Sequence, residues 1–189
     1  MKNNPGKMTA SIMSISLISN VLLRGFEYGF ANIFDDLLFL ITCILDIIMI
    51  LILYMKNHNP VVTIILFLNI ILMSINIYSV WKFSHPFSES GIFLVWKILK
   101  TLYIIPPVIL FIMSLNHESS EISSKFLIIF YIVLGIVHLI VYLIVDKQAE
   151  ALQLNVDYIA NINTIISHIL MIILTPLKIK YLTEYIYEY

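Results

Sequence analysis

Apolar residues in this chain run in blocks approaching twenty, broken by short polar stretches, and do not alternate as a half-buried strand would require. Five blocks predict membrane-spanning helices: Leu37 to Met55, Val61 to Val80, Ile92 to Leu115, Phe126 to Val145 and Tyr158 to Leu177. At about 1.5 Å per residue, each covers the roughly 30 Å of hydrocarbon in a bilayer. An earlier segment, Met8 to Leu23, is shorter and carries Ser11, Ser14, Ser16, Ser19 and Asn20, so it predicts either a sixth span or a helix lying at the interface. Lys2 and Lys7 precede it as in a signal peptide, but the residues around Asn20 offer no small-x-small cleavage site, and the segment is expected to be retained. The expected fold is all-α: a polytopic transmembrane helical bundle of six spanning helices, or five plus an interfacial N-terminal helix, in a single domain over residues 1–189.

The punctuation agrees with that division. Asn57-His58-Asn59-Pro60 reads as a tight turn, with Pro60 in the first turn of the next helix, where a missing N–H costs nothing. Pro106-Pro107 lies inside the third block, removes two backbone donors and predicts a kink. Lys147 to Leu152 predicts a short surface helix within the longest connector. The tail after Pro176, with Lys178, Lys180 and four tyrosines, predicts an amphipathic helix running along the membrane surface.

Composition narrows the function classes. Of 189 residues, 60% are hydrophobic and 12% charged, and the mean hydropathy is +0.96, which excludes a water-soluble enzyme. Lys and Arg number 11 against 12 Asp and Glu with no basic run, so nothing could track a phosphate backbone and nucleic acid is excluded as a partner. Cys43 is the lone cysteine and forms no intramolecular disulfide. No zinc-like spacing, Gly-rich phosphate loop or recognisable triad occurs, so no catalytic residue and no metal ligand can be named, and the cofactor is left open. His58, His85 and His117 read as solvated loop residues.

Chemistry is instead carried by polar residues sunk in the apolar blocks. Asp46, Lys97, Lys100, His138 and His168 each need a partner or water, since a charge in hydrocarbon costs several kcal/mol. Measured from the block ends facing one set of connectors, they lie five to ten residues deep, all in one half of the membrane. Polar residues also recur at helical spacing, giving each helix one seam: Thr42 and Asp46; Asn69 and Asn76; Tyr131, Gly135, His138 and Tyr142; Asn161, Thr164, His168 and Thr175. The expected arrangement is a one-sided polar cavity formed by Asp46, Asn69, Asn76, Lys100, His138 and His168, with Asp46 either neutral or opposite a cation, for which Lys100 is the candidate. Snorkelling to the headgroups is the alternative for Lys97 and Lys100.

Three functions suit this pattern. The first is binding or conduction of a small ion or polar solute in that cavity, that is, transport. The second is a non-catalytic subunit or assembly factor whose seams bind other membrane subunits. The third is a b-haem electron carrier with His138 and His168 as axial ligands. Counting Lys and Arg on each side places the N-terminus in the cytoplasm whether five or six segments cross; only the side of the C-terminus changes.

Overall fold

The computed structural model describes residues 4–29, 36–55, 59–82, 91–116, 121–151 and 158–188. These form seven helices: α1 Pro5–Tyr28, α2 Leu37–Met55, α3 Asn59–Lys82, α4 Gly91–Leu102, α5 Ile105–Asn116, α6 Glu121–Ala151 and α7 Tyr158–Glu188. Six rods among them are long and apolar enough to cross a membrane, α4 and α5 together making one. The first rod, Pro5–Phe26, is long and apolar enough to span, and it packs along both α2 and α7.

Local sequence explains the breaks. Asn4 caps α1 by accepting a hydrogen bond from Lys7 N, with Pro5 at the first helical position. Gly29 ends it at φ 83°, a left-handed conformation that favours glycine, and its N–H bonds back to Gly25 O. The predicted kink is a full interruption. Pro106 and Pro107 deny a donor to the carbonyls of Leu102 and Tyr103, and the chain answers with a turn in which Ile104 N bonds Thr101 O at 3.2 Å. Two other expectations are corrected. Lys147 to Ala151 belongs to the last turns of α6 rather than to a separate surface helix. The tail is the end of a continuous α7 and does not lie flat: Leu182, Tyr185 and Ile186 are buried. Tyr185 lies against Gly6, close enough that a β-carbon there would meet its ring at 3.0 Å, because this stretch is the surface on which α1 closes the bundle.

The rods form a closed ring in the order α1, α2, α3, α4–α5, α6, α7 and back to α1. Interhelical hydroxyl contacts fasten it: Thr63 to Ser114 between α3 and α5, Ser124 to Thr183 between α6 and α7, and the Trp81 indole N–H donating to Thr101 between α3 and α4.

Burial is not even along the rods. At the end holding the chain termini the ring is tightly filled by Ala10 and Met13 of α1, Leu53 of α2, Val62 and Ile65 of α3, and Leu182 of α7. Toward the other end the same helix faces lose their cover. On α3, at about 100° per residue, Val62, Leu66, Asn69, Met73 and Asn76 share one face; Val62 and Leu66 are buried, Asn69 and Met73 half-buried, and Asn76 exposed. The opposite face, with Ile64, Phe67, Ile71 and Tyr78, is exposed throughout and suits lipid. The α2 helix repeats the gradient, its buried residues Leu45, Met49, Ile52 and Leu53 all lying beyond its first two turns.

Candidate functional site

In the half of the bundle away from the chain termini each rod carries a buried or half-buried polar side chain, with α4 and α6 packed there and the other rods less covered. The α1 helix brings Arg24, fourteen residues after the buried Ala10 and so on nearly the same face. Asp46 stands on α2 between the buried Leu45 and Met49. Asn69 and Asn76 continue the α3 core face, as above. From α4 come Lys97 and Lys100, from α6 His138 and from α7 His168.

The histidines meet. Their rings touch edge to face with centroids 4.7 Å apart. His138 is 2% exposed, and its Nδ1 lies 3.2 Å from the Tyr103 hydroxyl. Its Nε2 is buried without a hydrogen-bond partner. The half-buried His168 donates from Nδ1 to the Thr164 carbonyl at 2.8 Å, which leaves Nε2 as the bare acceptor of the neutral ring. Tyr142 stacks on His168, and Tyr103 and Trp96 flank His138. Lys100 acts electrostatically on both imidazoles, while its ammonium rests 5.0 Å from the centroid of the Trp96 ring. Thus Lys100, His138 and His168 form one cluster across α4, α6 and α7.

The other expected residues stand apart from it. Among the described residues Asp46 makes no ion pair with Lys100, which corrects the candidate pairing. Equal depth put the two at one level, but α2 packs on α1 and α3 whereas α4 packs on α3 and α6, so the ring keeps them on separate rods. Asp46 instead acts electrostatically on Cys43, one turn earlier. Lys97 is buried with its ammonium over the Trp81 and Phe93 rings, at 5.5 and 5.2 Å, on the α3 side of α4. His58, His85 and His117 lie outside the described residues.

Arg24 links the two halves. It pairs with Asp36, covers the Phe39 ring at 4.5 Å and is near enough to act on both Lys100 and Cys43. Asp36 also caps α2, accepting Phe39 N at 3.0 Å; that backbone hydrogen bond, with the Arg24 guanidinium, holds its carboxyl below the usual carboxylate range despite partial burial. Sequence reading passed over Arg24, Asp36, Trp96 and Tyr103. A signal existed for two of them, because Trp96, Lys100 and Tyr103 follow steps of four and three.

A haem between His138 and His168 does not fit. Two imidazoles ligating one iron at about 2 Å each hold their centroids roughly 6 Å apart, and these rings are in direct edge contact among packed aromatics. Among the described residues no group of three His, Cys, Asp or Glu is placed to hold a metal ion. No protein-family model, no curated protein and no solved structure matches the chain.

Proposed function

We propose that this multi-pass membrane protein binds or conducts a small ion or polar solute in a vestibule at the loosely packed end of the ring, lined by Asp46, Asn69, Asn76, Lys100, His138 and His168. One observation carries the reading: on α2 and α3 the faces sealed by apolar packing at one end lose their cover toward the other, where Asn69 and Asn76 follow the α3 face and α4, α6 and α7 bring Lys100, His138 and His168 together. A polar group inside a membrane bundle is costly unless it serves structure or function. Hydroxyl clamps account for structure elsewhere, whereas His138 Nε2 is left unsatisfied. With six crossings the two termini share a side, and that side holds Lys2, Lys7, Lys56, Lys125, Lys178 and Lys180 against Arg24, Lys82 and Lys147 near the other, with Lys97 and Lys100 leaning toward that second side. The termini are therefore assigned to the cytoplasm and the vestibule opens away from it.

The test is osmotic swelling of phosphatidylcholine vesicles containing the purified protein, challenged in turn with potassium chloride, urea, glycerol and glycine, alongside thermal unfolding in each solute. The expected result is faster swelling, or a raised melting temperature, for at least one solute, with the effect abolished by Asp46→Asn although that variant inserts and accumulates normally. No difference from empty vesicles and no thermal shift with any solute, or an unchanged effect in the variant, removes the reading. A second membrane protein held through purification would decide for the subunit or assembly-factor role instead.

A further inference from the structure

The two buried histidines are each anchored by one ring nitrogen. His138 Nδ1 meets the Tyr103 hydroxyl at 3.2 Å and His168 Nδ1 the Thr164 carbonyl at 2.8 Å, so α4 orients one ring and α7 its own. The other nitrogens are not used in this way. His138 Nε2 is buried without a hydrogen-bond partner, in a side chain 2% exposed, which a polar atom rarely is without a reason. His168 Nε2 carries a lone pair, because a neutral ring that donates from Nδ1 to a carbonyl has its proton there. The rings touch, with centroids 4.7 Å apart and planes at 67°. An N–H···N hydrogen bond of about 2.9 Å between two imidazoles sets their centroids about 5 Å apart. Rotation of the half-buried His168 ring therefore brings Nε2 to Nε2 with no movement of α6 against α7.

The surroundings suit a cation shared by the two rings. Tyr142 stacks on His168 at 5.4 Å, and Tyr103 and Trp96 flank His138 at 5.3 and 6.3 Å. Among the described side chains the charges facing the pair are few. On α4, Lys100 acts on both imidazoles and opposes a positive charge there, with its ammonium held on the Trp96 ring; Lys97 is turned instead toward Trp81 and Phe93. On α1, Arg24 is paired with Asp36. The α5 helix, which also packs on α7, carries no ionisable side chain, and Tyr131 of α6 bonds Thr175 of α7. No described carboxylate pairs with either histidine.

We infer that His138 and His168 form a proton-binding site, in which one proton is held between their Nε2 atoms. The proton arrives at His168 Nε2 from the side on which that ring is half-exposed, and no other bond is broken. The new N–H then donates to His138 Nε2, whose lone pair is available when the His138 proton sits on Nδ1 toward the Tyr103 oxygen. Uptake adds one positive charge beside Lys100, gives the buried nitrogen its partner and ties α6 to α7. A metal ion is a poorer occupant, because among the described residues no third His, Cys, Asp or Glu stands with the two. This site goes beyond the solute reading and does not depend on it, since the proton is detected on the histidines themselves.

The full chain in a non-ionic maltoside detergent, isotopically labelled at its histidine ring nitrogens, is titrated between about pH 8 and pH 4. It is followed by NMR and by indole emission, which a protonated imidazole quenches and which Trp96 reports from beside His138. The expected result is a nitrogen–nitrogen coupling across a hydrogen bond between the two Nε2 atoms, appearing together with a fall in emission as the pH drops. His138→Gln and His168→Gln each abolish both signals, while His58, His85 and His117 titrate without the coupling. The inference is overturned if the wild type shows no coupling at any pH at which circular dichroism reports it folded. It is equally overturned if either single variant retains the emission step, because the rings then titrate as separate bases. The wild-type coupling decides the matter even where a variant fails to fold. A coupling found without any solute response in the swelling and thermal tests supports the proton site and removes only the solute reading.

Discussion

Asp36 serves two neighbours with one carboxylate, capping α2 through Phe39 N and pairing with Arg24 at the end of α1. Because these contacts hold its carboxyl below the usual range, their stabilisation is complete above that range and lost as pH falls through the lowered value. Melting temperature followed from neutral pH down to about pH 3 should fall in the wild type, and Asp36→Asn should melt lower at neutral pH but show a shallower acid slope. An identical slope in the variant would place the acid sensitivity elsewhere. Side chains of this kind show what the sequence reveals and what it conceals. The depth of Asp46, Lys100, His138 and His168 was readable, since residue counts convert to height along a helix. Their partners were not: Lys100 rests on Trp96, and His138 meets both Tyr103 and His168. Serine and threonine misled differently. Thr42 donates to Leu38 O, Ser74 to Ile70 O and Ser11 to Lys7 O, so these hydroxyls are satisfied within their own helices and can face in any direction.

At the scale of the element, hydropathy blocks located four rods to within a few residues and the start of a fifth, whose end lies ten residues beyond the expected Leu177, and the double proline located the break between α4 and α5, because both signals are local. Approaches between rods are not local, and Gly135 illustrates the difference. It sits three residues before His138 and lets α6 come so near α7 that a β-carbon there would lie 2.6 Å from Ile172 Cγ1. Gly135→Val should force the helices apart and cost about 1–3 kcal/mol as overpacking, while Gly135→Ala, which adds a single methyl against the stiff β-branched Ile172, costs less than Val but still destabilises. Thermal unfolding measures the cost. If the His138–His168 contact organises the vestibule, the Val variant should also lose the solute response in proportion. A Val variant as stable as wild type would show that the close approach is dispensable.

For the whole molecule, the ring order decides which residues of equal depth meet, and no single helix encodes it. Six rods placed at known heights admit many orders; the one adopted sets α1 between α2 and α7, an arrangement that the serine-rich character of α1 obscured. Its seal is tight at Gly6, where a β-carbon would come within 2.8 Å of Leu53 O and 3.0 Å of the Tyr185 ring. Gly6→Leu should therefore pry α1 from both neighbours and lower the melting temperature by several degrees, with trypsin cleavage at Lys7 accelerating; an unchanged cleavage rate would mean that α1 tolerates displacement.

Closure of the first rod against the last has a consequence for synthesis. As the ribosome delivers the helices in order, α1 can meet α2 early, but the flank that α7 will cover stays open to lipid or to a chaperone until the final segment leaves the translocon. A chain halted after α6 would carry that unfinished seam, with Gly6 stripped of its Tyr185 cover, and so present to membrane quality control a surface that the completed protein hides.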